Sequence, residues 1–261
     1  MNNAGLFDDC SAAISWHPTD DNGIWSINFH AQQGVTYTFQ GRPAAKSDAE
    51  KGNDILADTG ANSLDALKLF LHGAGVLRNH LPEHFVIRSS IEETGDKNML
   101  QNPCESVIRY HYRAYTGAEI REAIAALHQV AKGAAVMCKL KAVYKTGYSE
   151  MLPNRSLERI MYSKFQKVGT VHMTQEDWKY AEKMHTALPS GCEGPTFDLM
   201  HLLYEEQADP IIEQVKGKPY NDLLYPFREI NVHKPGSTDI CDVSWTTPTT
   251  QCVVAIDICF L

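Results

Sequence analysis

Two carboxylates three residues apart are the first candidates for chemistry in this sequence. They lie among hydroxyl side chains in the run Gly236-Ser-Thr-Asp-Ile-Cys-Asp-Val-Ser-Trp245, which follows a Pro-Gly turn. This spacing puts Asp239 and Asp242 on one face of a helical turn or on one rim of a loop, so both could point into one cleft as a catalytic pair. Asp beside Ser and Thr more often caps a helix or shapes a turn, and the residues alone favour that interpretation.

His17 is the second candidate. Residues 12–16 predict a short buried strand that ends at His17-Pro18. A His at a strand end is well placed to bind a metal ion, because the rigid strand fixes the imidazole while the following loop opens the site. The alternative is a structural His that is hydrogen-bonded near a turn, and the residues alone favour that alternative.

The amino-acid sequence of several segments identifies a family more specifically than the chemistry of their side chains does. The run 236–245 closely resembles the Gly-Ser-Thr-Asp-Val-Gly-Asp-Val-Ser-Trp signature of the p-aminobenzoyl-glutamate hydrolase B subunits, which are members of the zinc amidohydrolase, acylase and glutamate carboxypeptidase family. The resemblance covers essentially the whole chain, with its other motifs at Trp16-His17-Pro18, Gly41-Arg42 and Tyr148 to Asn154. It implies metal-assisted hydrolysis of an amide bond to an amino acid such as glutamate, with zinc or manganese in the complete enzyme.

The resemblance also implies roles for single residues. His17 corresponds to the strand-end His that reaches the metal, and Arg113 to an Arg that grips a substrate carboxylate, which its planar fork does well. Asp239 and Asp242 would line the substrate pocket. Ala45 replaces the family's lid His, which polarises the scissile carbonyl, so this position supplies no hydrogen-bond donor to the developing oxyanion.

The other metal ligands of the resembled family have no counterpart in this sequence. A catalytic zinc ion needs at least three protein ligands and an open position for water, so we expect this chain alone to bind no metal tightly and to be inactive. The first hypothesis is a fragment or truncated form of a metal-dependent amidohydrolase that cleaves a p-aminobenzoyl-glutamate-like substrate. The alternative is a non-catalytic protein for dimerisation or binding, a pseudoenzyme whose main part is the lid domain.

Alternating and amphipathic segments predict the elements that must position these residues. Strands are predicted at 35–40, 85–91, 106–112 and 135–144, and helices from the N-cap Ser63 to before Pro82 and over 118–132. The order β-α-β-β-α-β across residues 34–146 is that of a ferredoxin-like split βαβ sandwich. In the resembled family this is the lid and dimerisation domain, inserted into an α/β metallopeptidase-like catalytic domain.

We therefore predict three segments in an α/β protein with an α+β lid. Residues 1–31 are expected to close the first half of the catalytic domain, 32–148 to form the lid and dimerisation domain, and 149–261 to form the second half of an incomplete catalytic domain. The last segment is expected to contain helices at 156–167, after Thr174 and near 197–207, and an apolar strand over 252–261 with no partner. Its remaining stretch, 189–235, is expected to be mainly a connection.

Composition limits the partners and the compartment. The net charge of −8 and the absence of a Lys/Arg run exclude a nucleic-acid-binding function. The N-terminal residues do not form a signal peptide, and the apolar run 252–256 is too short to cross a bilayer, so we expect a cytoplasmic protein without a membrane partner. We expect a homodimer formed through the lid domain, because an exposed sheet edge would otherwise pair without control.

Overall fold

The computed structural model of the chain describes residues 4–42, 60–95, 103–136, 138–187 and 197–256. It confirms a mixed α/β protein. The strands and helices are, in chain order, β1 (Ala13–Thr19), β2 (Gly23–Ile24), β3 (Asn28–Phe29), β4 (Ala31–Gln40), α1 (Ser63–Arg78), β5 (Val86–Glu93), β6 (Glu105–Ala114), α2 (Gly117–Ala134), β7 (Lys139–Tyr144), α3 (Arg155–Val168), α4 (Gln175–Ala187), α5 (Phe197–Tyr204), α6 (Ala208–Val215), β8 (His233–Lys234), α7 (Ile240–Ser244) and β9 (Thr249–Ala255).

The chain divides into two compact units. One, here called the inserted unit, comprises His30–Glu150 and Pro235–Ser237. The other, here called the split unit, comprises Met1–Phe29, Met151–Lys234 and Thr238–Leu261. Each unit has its own apolar core, and each is described separately below.

The inserted unit is a four-stranded sheet with the strand order β5-β6-β4-β7. All three strand pairs are antiparallel, and β4 pairs with β6 along its whole length, from Ala31 opposite Ala114 to Gln40 opposite Glu105. The elements follow in the order β-α-β-β-α-β, as the periodicity of residues 34–146 predicts.

Alternation along β4 explains which face of this sheet carries the helices. Val35, Tyr37 and Phe39 are fully buried against α1 and α2, where they meet Phe70 and Leu127. Successive side chains of a strand point to opposite faces, so the residues between them face away from the helices. This apolar layer is the main core of the inserted unit.

The two helices of the inserted unit begin at capping side chains. The predicted N-cap of α1 at Ser63 was wrong by one residue: the carboxamide oxygen of Asn62 accepts hydrogen bonds from the backbone N–H groups of Leu64 and Asp65, at 2.9 and 3.3 Å. Ser63 is instead buried. Helix α2 begins with a reciprocal capping box between Thr116 and Glu119, which satisfies two otherwise unpaired backbone donors.

The split unit contains a three-stranded sheet with the order β1-β9-β2. Strand β9 is the central strand and pairs in parallel with β1 and antiparallel with β2, so the prediction of an unpaired C-terminal strand over 252–261 was wrong. Its first two residues, Thr249 and Thr250, are buried, and the Thr249 hydroxyl donates a hydrogen bond to the Thr247 carbonyl at 2.8 Å. The last predicted residues, 257–261, lie outside the described part of the chain.

The helices of the split unit follow the predicted pattern in α3 and α4 but not further on. The helix predicted near 197–207 ends at Tyr204, and after a 3-10 turn a further helix, α6, begins at Ala208. Sequence periodicity missed α6 because it is only two turns long, although Ile211, Ile212 and Val215 form a buried apolar stripe. No helix in the described ranges is long and apolar enough to span a membrane.

Candidate functional site

His17 lies inside β1 rather than at its end, because the strand continues through Pro18 to Thr19. The side chain is exposed, and its ring stacks on Trp25 with the centroids 5.0 Å apart. Nδ1 lies 2.7 Å from the carbonyl oxygen of Pro18. A carbonyl oxygen can only accept, so Nδ1 must carry the hydrogen, and in the neutral ring Nε2 then presents a lone pair.

Trp25 also fixes the surroundings of this His. The ammonium group of Lys234 lies 4.6 Å from the centroid of the Trp25 ring, a cation–π contact. Phe29 packs against the same ring at 5.4 Å. The imidazole of His17 is therefore held in a defined orientation on an exposed part of the sheet.

Asp239 and Asp242 belong to the short helix α7. Asp239 occupies the N-cap position but makes no capping hydrogen bond, and instead its Oδ1 accepts one from the hydroxyl of Thr238 at 3.2 Å. Asp239 thus stands at the start of a helical turn, as the residues alone favoured, but without a capping hydrogen bond from its side chain. Between the two lies Cys241, whose pKa is raised to about 11, mainly by burial and further by the charges of Asp242 and Asp239. Helix α7 packs against β9 and against β1, the strand that carries His17.

Arg113 is in the inserted unit, on β6. Its Nη1 donates a hydrogen bond to the carbonyl oxygen of Pro235, and its pKa is lowered by burial and by the nearby charge of Arg88. The first residue of the signature run 236–245 is held by the backbone of His30, whose N–H donates to the Gly236 carbonyl at 3.1 Å. Arg113 thus anchors the backbone just before the segment that the sequence singled out.

His30 and its neighbours are the part of this region that sequence reasoning missed. His30 is only 4% exposed, its carbonyl accepts from the Ser237 hydroxyl at 2.8 Å, and its ring meets Tyr115 edge-on at 5.1 Å. Tyr115 stacks on His84 at 3.9 Å, and Nε2 of His84 lies 3.0 Å from a carboxylate oxygen of Glu119. The only sequence signal was a His placed directly after the apolar Phe29, just before the segment that forms β4.

Asn154, the last residue of the Tyr148 to Asn154 motif, has a structural role in the split unit. The side-chain oxygen of Asn154 accepts from the backbone N–H of Leu157 at 3.0 Å and so caps α3. In the first turn of that helix, the buried carboxylate of Glu158 accepts from the Ser26 hydroxyl at 2.6 Å and from Arg155 at 3.0 Å. This polar cluster ties α3 to the chain that leaves β2.

A catalytic metal ion is the group that the resemblance implies. Within the described ranges no three His, Cys, Asp or Glu side chains come together in a way that could hold such an ion. The described residues therefore do not by themselves fit a catalytic zinc site, which needs three protein ligands. Ala45, the position of the missing lid His, falls in residues 43–59, outside the described part.

Comparison with known proteins confirms the resemblance inferred from the sequence. The chain is 25% identical over 252 residues to the p-aminobenzoyl-glutamate hydrolase B subunit of Escherichia coli (strain K12), an alignment that covers 95% of this chain and 50% of that protein. The chain thus spans about half the length of this curated relative. No protein-family model matches the sequence.

A solved structure shares the fold. The aminobenzoyl-glutamate utilization protein from Klebsiella pneumoniae aligns with a TM-score of 0.56 and 12% identity, covering 98% of this chain and 53% of that one. At this identity the likeness concerns the fold alone. The curated relative is named as a subunit of a hydrolase that acts on p-aminobenzoyl-glutamate.

Proposed function

We propose that this chain is part of a metal-dependent amidohydrolase that cleaves the amide bond between p-aminobenzoate, or a similar acyl group, and glutamate. The observation that carries the proposal is the sequence likeness to the p-aminobenzoyl-glutamate hydrolase B subunit along 95% of the chain. The reaction adds water across the amide, which releases a carboxylate and an amine. A glutamate conjugate would offer the site an amide and two carboxylates.

His17 is proposed as one metal ligand of that enzyme. Its Nδ1 hydrogen bond to the Pro18 carbonyl and its stacking on Trp25 support this role, because metal-binding His residues usually donate their other ring N–H to a carbonyl or carboxylate. The metal, zinc or manganese, would polarise the scissile carbonyl and activate water when bound. The described residues lack the other ligands of such a site, so the role proposed for His17 is limited to binding.

Arg113 is proposed to bind a carboxylate of the substrate, and Asp239 and Asp242 to line the substrate pocket. Arg113 is half-buried, and its Nε has no hydrogen-bond partner among the described residues. An unsatisfied buried donor is costly, so a carboxylate ligand that reaches Nε would gain both charge and a hydrogen bond.

The inserted unit is proposed to be a ferredoxin-like lid through which two copies pair. The β-α-β-β-α-β order and the compact unit His30–Glu150 support this assignment and the predicted boundaries 32–148. Strands β5 and β7 are the edges of its sheet, and Leu69 and Val76 of α1 are about half exposed. Light scattering on the purified chain would report a dimer if this is right and a monomer if it is wrong. A cytoplasmic location stays a prediction.

Calorimetric titration with p-aminobenzoyl-glutamate tests the proposed function. The chain should bind the conjugate, and Arg113→Gln should weaken binding about tenfold or more, as expected for a lost charge-assisted pair. Arg121→Gln is the matched control, because Arg121 is an exposed Arg on α2 of the same unit. Absence of binding by the unaltered chain, or an equal loss in both variants, would contradict the proposal. Adding zinc or manganese to the same samples reports whether this chain itself releases glutamate above a metal-only control.

A further inference from the structure

The sheet of the inserted unit has one face without helices, here called the open face. Positions 32, 34, 36, 38 and 40 of β4 lie on it, since Val35, Tyr37 and Phe39 between them are buried under α1 and α2. The pairing register carries this assignment to β5, β6 and β7. Seven basic side chains of the described residues share this face: Arg88, Arg109, His111, Arg113, Lys139, Lys141 and Lys145.

The basic side chains are concentrated around one row across the sheet. Arg88 lies opposite His111 and His111 lies opposite Gly34 in the strand register. Lys145 comes next, with its backbone N–H bonded to the Gly34 carbonyl at 2.8 Å. A Cβ at position 34 would lie 3.1 Å from the Cβ of Lys145, so the glycine leaves room for the lysine stem to lie across the sheet.

Most of this positive charge is not neutralised within the chain. Arg109 pairs with Glu92 at 2.7 Å, but Arg88, Lys141 and Lys145 make no ion pair with any described residue. All three side chains are exposed. Arg113 and Arg88 also lower the pKa of His111, although burial is the larger cause. The register also brings Glu93 and Glu105 to this face beside Glu92, so the basic side chains outnumber the described carboxylates by seven to three. Such an excess of positive charge, in a chain whose net charge is −8, favours a negatively charged ligand over a structural role.

The basic side chains along β6 have the same spacing as the side chains on one side of an extended polypeptide. Arg109, His111 and Arg113 alternate along the strand, so their side chains recur at about 6.7 Å on this face. Side chains of alternate residues in an extended peptide repeat at the same distance. The hydroxyl of Thr36, opposite Arg109, is buried without a hydrogen-bond partner among the described residues and adds a polar group to the centre of the face.

We propose that the open face binds an extended acidic polypeptide, whose alternating carboxylates lie over the basic side chains of β6. A pleated sheet surface is flat, whereas sites for small molecules are usually concave, so the face suits a macromolecule. Among the described residues the register brings one Tyr to this face, Tyr148 opposite Gln32, and a single ring of this kind could stack on one base only, which favours a peptide over single-stranded nucleic acid. Arg113 is shared with the proposed substrate site, and the variants below leave Arg113 unchanged, so that failure of this inference and failure of the proposed function are distinguishable.

Fluorescence anisotropy with a labelled peptide tests the proposal on the full chain. The probe is a peptide of about ten residues that alternates glutamate and threonine, and the comparison peptide carries glutamine in place of glutamate. The double variant Arg88→Gln/Lys145→Gln should weaken binding about fivefold, the combined effect of two exposed ion pairs. Lys68→Gln/Lys132→Gln removes the same charge from the helix-bearing side and should change binding by less than about twofold.

Each outcome of this experiment decides the question. Binding of the glutamate peptide but not the glutamine peptide, with loss only in the open-face variant, supports the proposal. Equal loss in both double variants would mean that net charge, and not the open face, controls binding. No binding of the glutamate peptide, or tighter binding of a labelled oligothymidylate, would overturn the assignment of an acidic polypeptide.

Discussion

The buried ion pair at the start of α3 gives the sharpest test of how the split unit is held together. The Glu158 carboxylate is 3% exposed and accepts from the Ser26 hydroxyl and from Arg155, which also donates to the Ile230 carbonyl at 2.9 Å. Removing one partner of a buried pair leaves an uncompensated charge and typically costs about 3–5 kcal/mol. For Arg155→Met we expect about 3 kcal/mol, the lower end, because Ser26 still donates to the carboxylate.

Neighbouring Arg159 provides a matched control on the same helix. It also forms an ion pair, with Glu229, but its side chain is 60% exposed. Exposed pairs contribute at most about 1 kcal/mol, so Arg159→Met should have a small effect. The double variant Arg155→Met/Glu158→Leu should be less destabilised than Arg155→Met alone, because it removes the stranded charge.

Tryptophan fluorescence during urea unfolding isolates this effect. All four tryptophans, Trp16, Trp25, Trp178 and Trp245, belong to the split unit. The signal therefore follows the unit that contains the ion pair, even if the two units unfold separately. If Arg155→Met shifts the free energy of unfolding by less than about 1 kcal/mol, or no more than Arg159→Met, the pair does not stabilise this unit as argued.

Three further predictions concern stability. Burial raises the pKa of Asp21 to about 6, so the folded state prefers the protonated acid and loses stability as pH rises from about 4 to above 6. Asp21→Asn should therefore raise the free energy of unfolding by up to about 3 kcal/mol at pH 8 and have little effect near pH 4. An equal effect of the substitution at both pH values would refute this. Phe70→Ala should destabilise the inserted unit by about 3–5 kcal/mol, followed by circular dichroism because that unit has no tryptophan, and a loss below about 1 kcal/mol would contradict the core described. Gly41→Ala should cost about 1–3 kcal/mol in the same assay, because its Cβ would lie 2.1 Å from the Ala61 carbonyl oxygen, and an unchanged midpoint would show that this contact relaxes freely.

The inserted unit was predictable because its local signals agree with its packing. Strand β4 alternates between apolar and polar residues, and α2 carries an apolar stripe that ends in Ala134. The N-cap of α1 was predicted one residue too late, since Asn62 and Ser63 are both good N-cap residues. In the structure the Ser63 hydroxyl is instead hydrogen-bonded to Ser106, a contact that the local sequence does not show.

The split unit was harder to predict because its order depends on distant pairing. Strand β9, residues 249–255, pairs with β1 near the start of the chain, and no local sequence pattern indicates that pairing. The same holds for His30, whose backbone is bonded to Gly236 and Ser237, residues about 200 positions further along the sequence. The signature run 236–245 was informative through its resemblance rather than through its own chemistry, because a pair of aspartates near hydroxyls is common in turns.

Affinity for the intact amide conjugate is the most direct test of the hydrolase assignment. Titrating the purified chain with p-aminobenzoyl-glutamate, and separately with an equimolar mixture of free p-aminobenzoate and glutamate, compares the conjugate with its two parts. The account predicts saturable binding of the conjugate and at least about tenfold weaker binding of the mixture, because joining two groups makes the second contact intramolecular. Binding of neither, or equal binding of both, would contradict a site built for this amide.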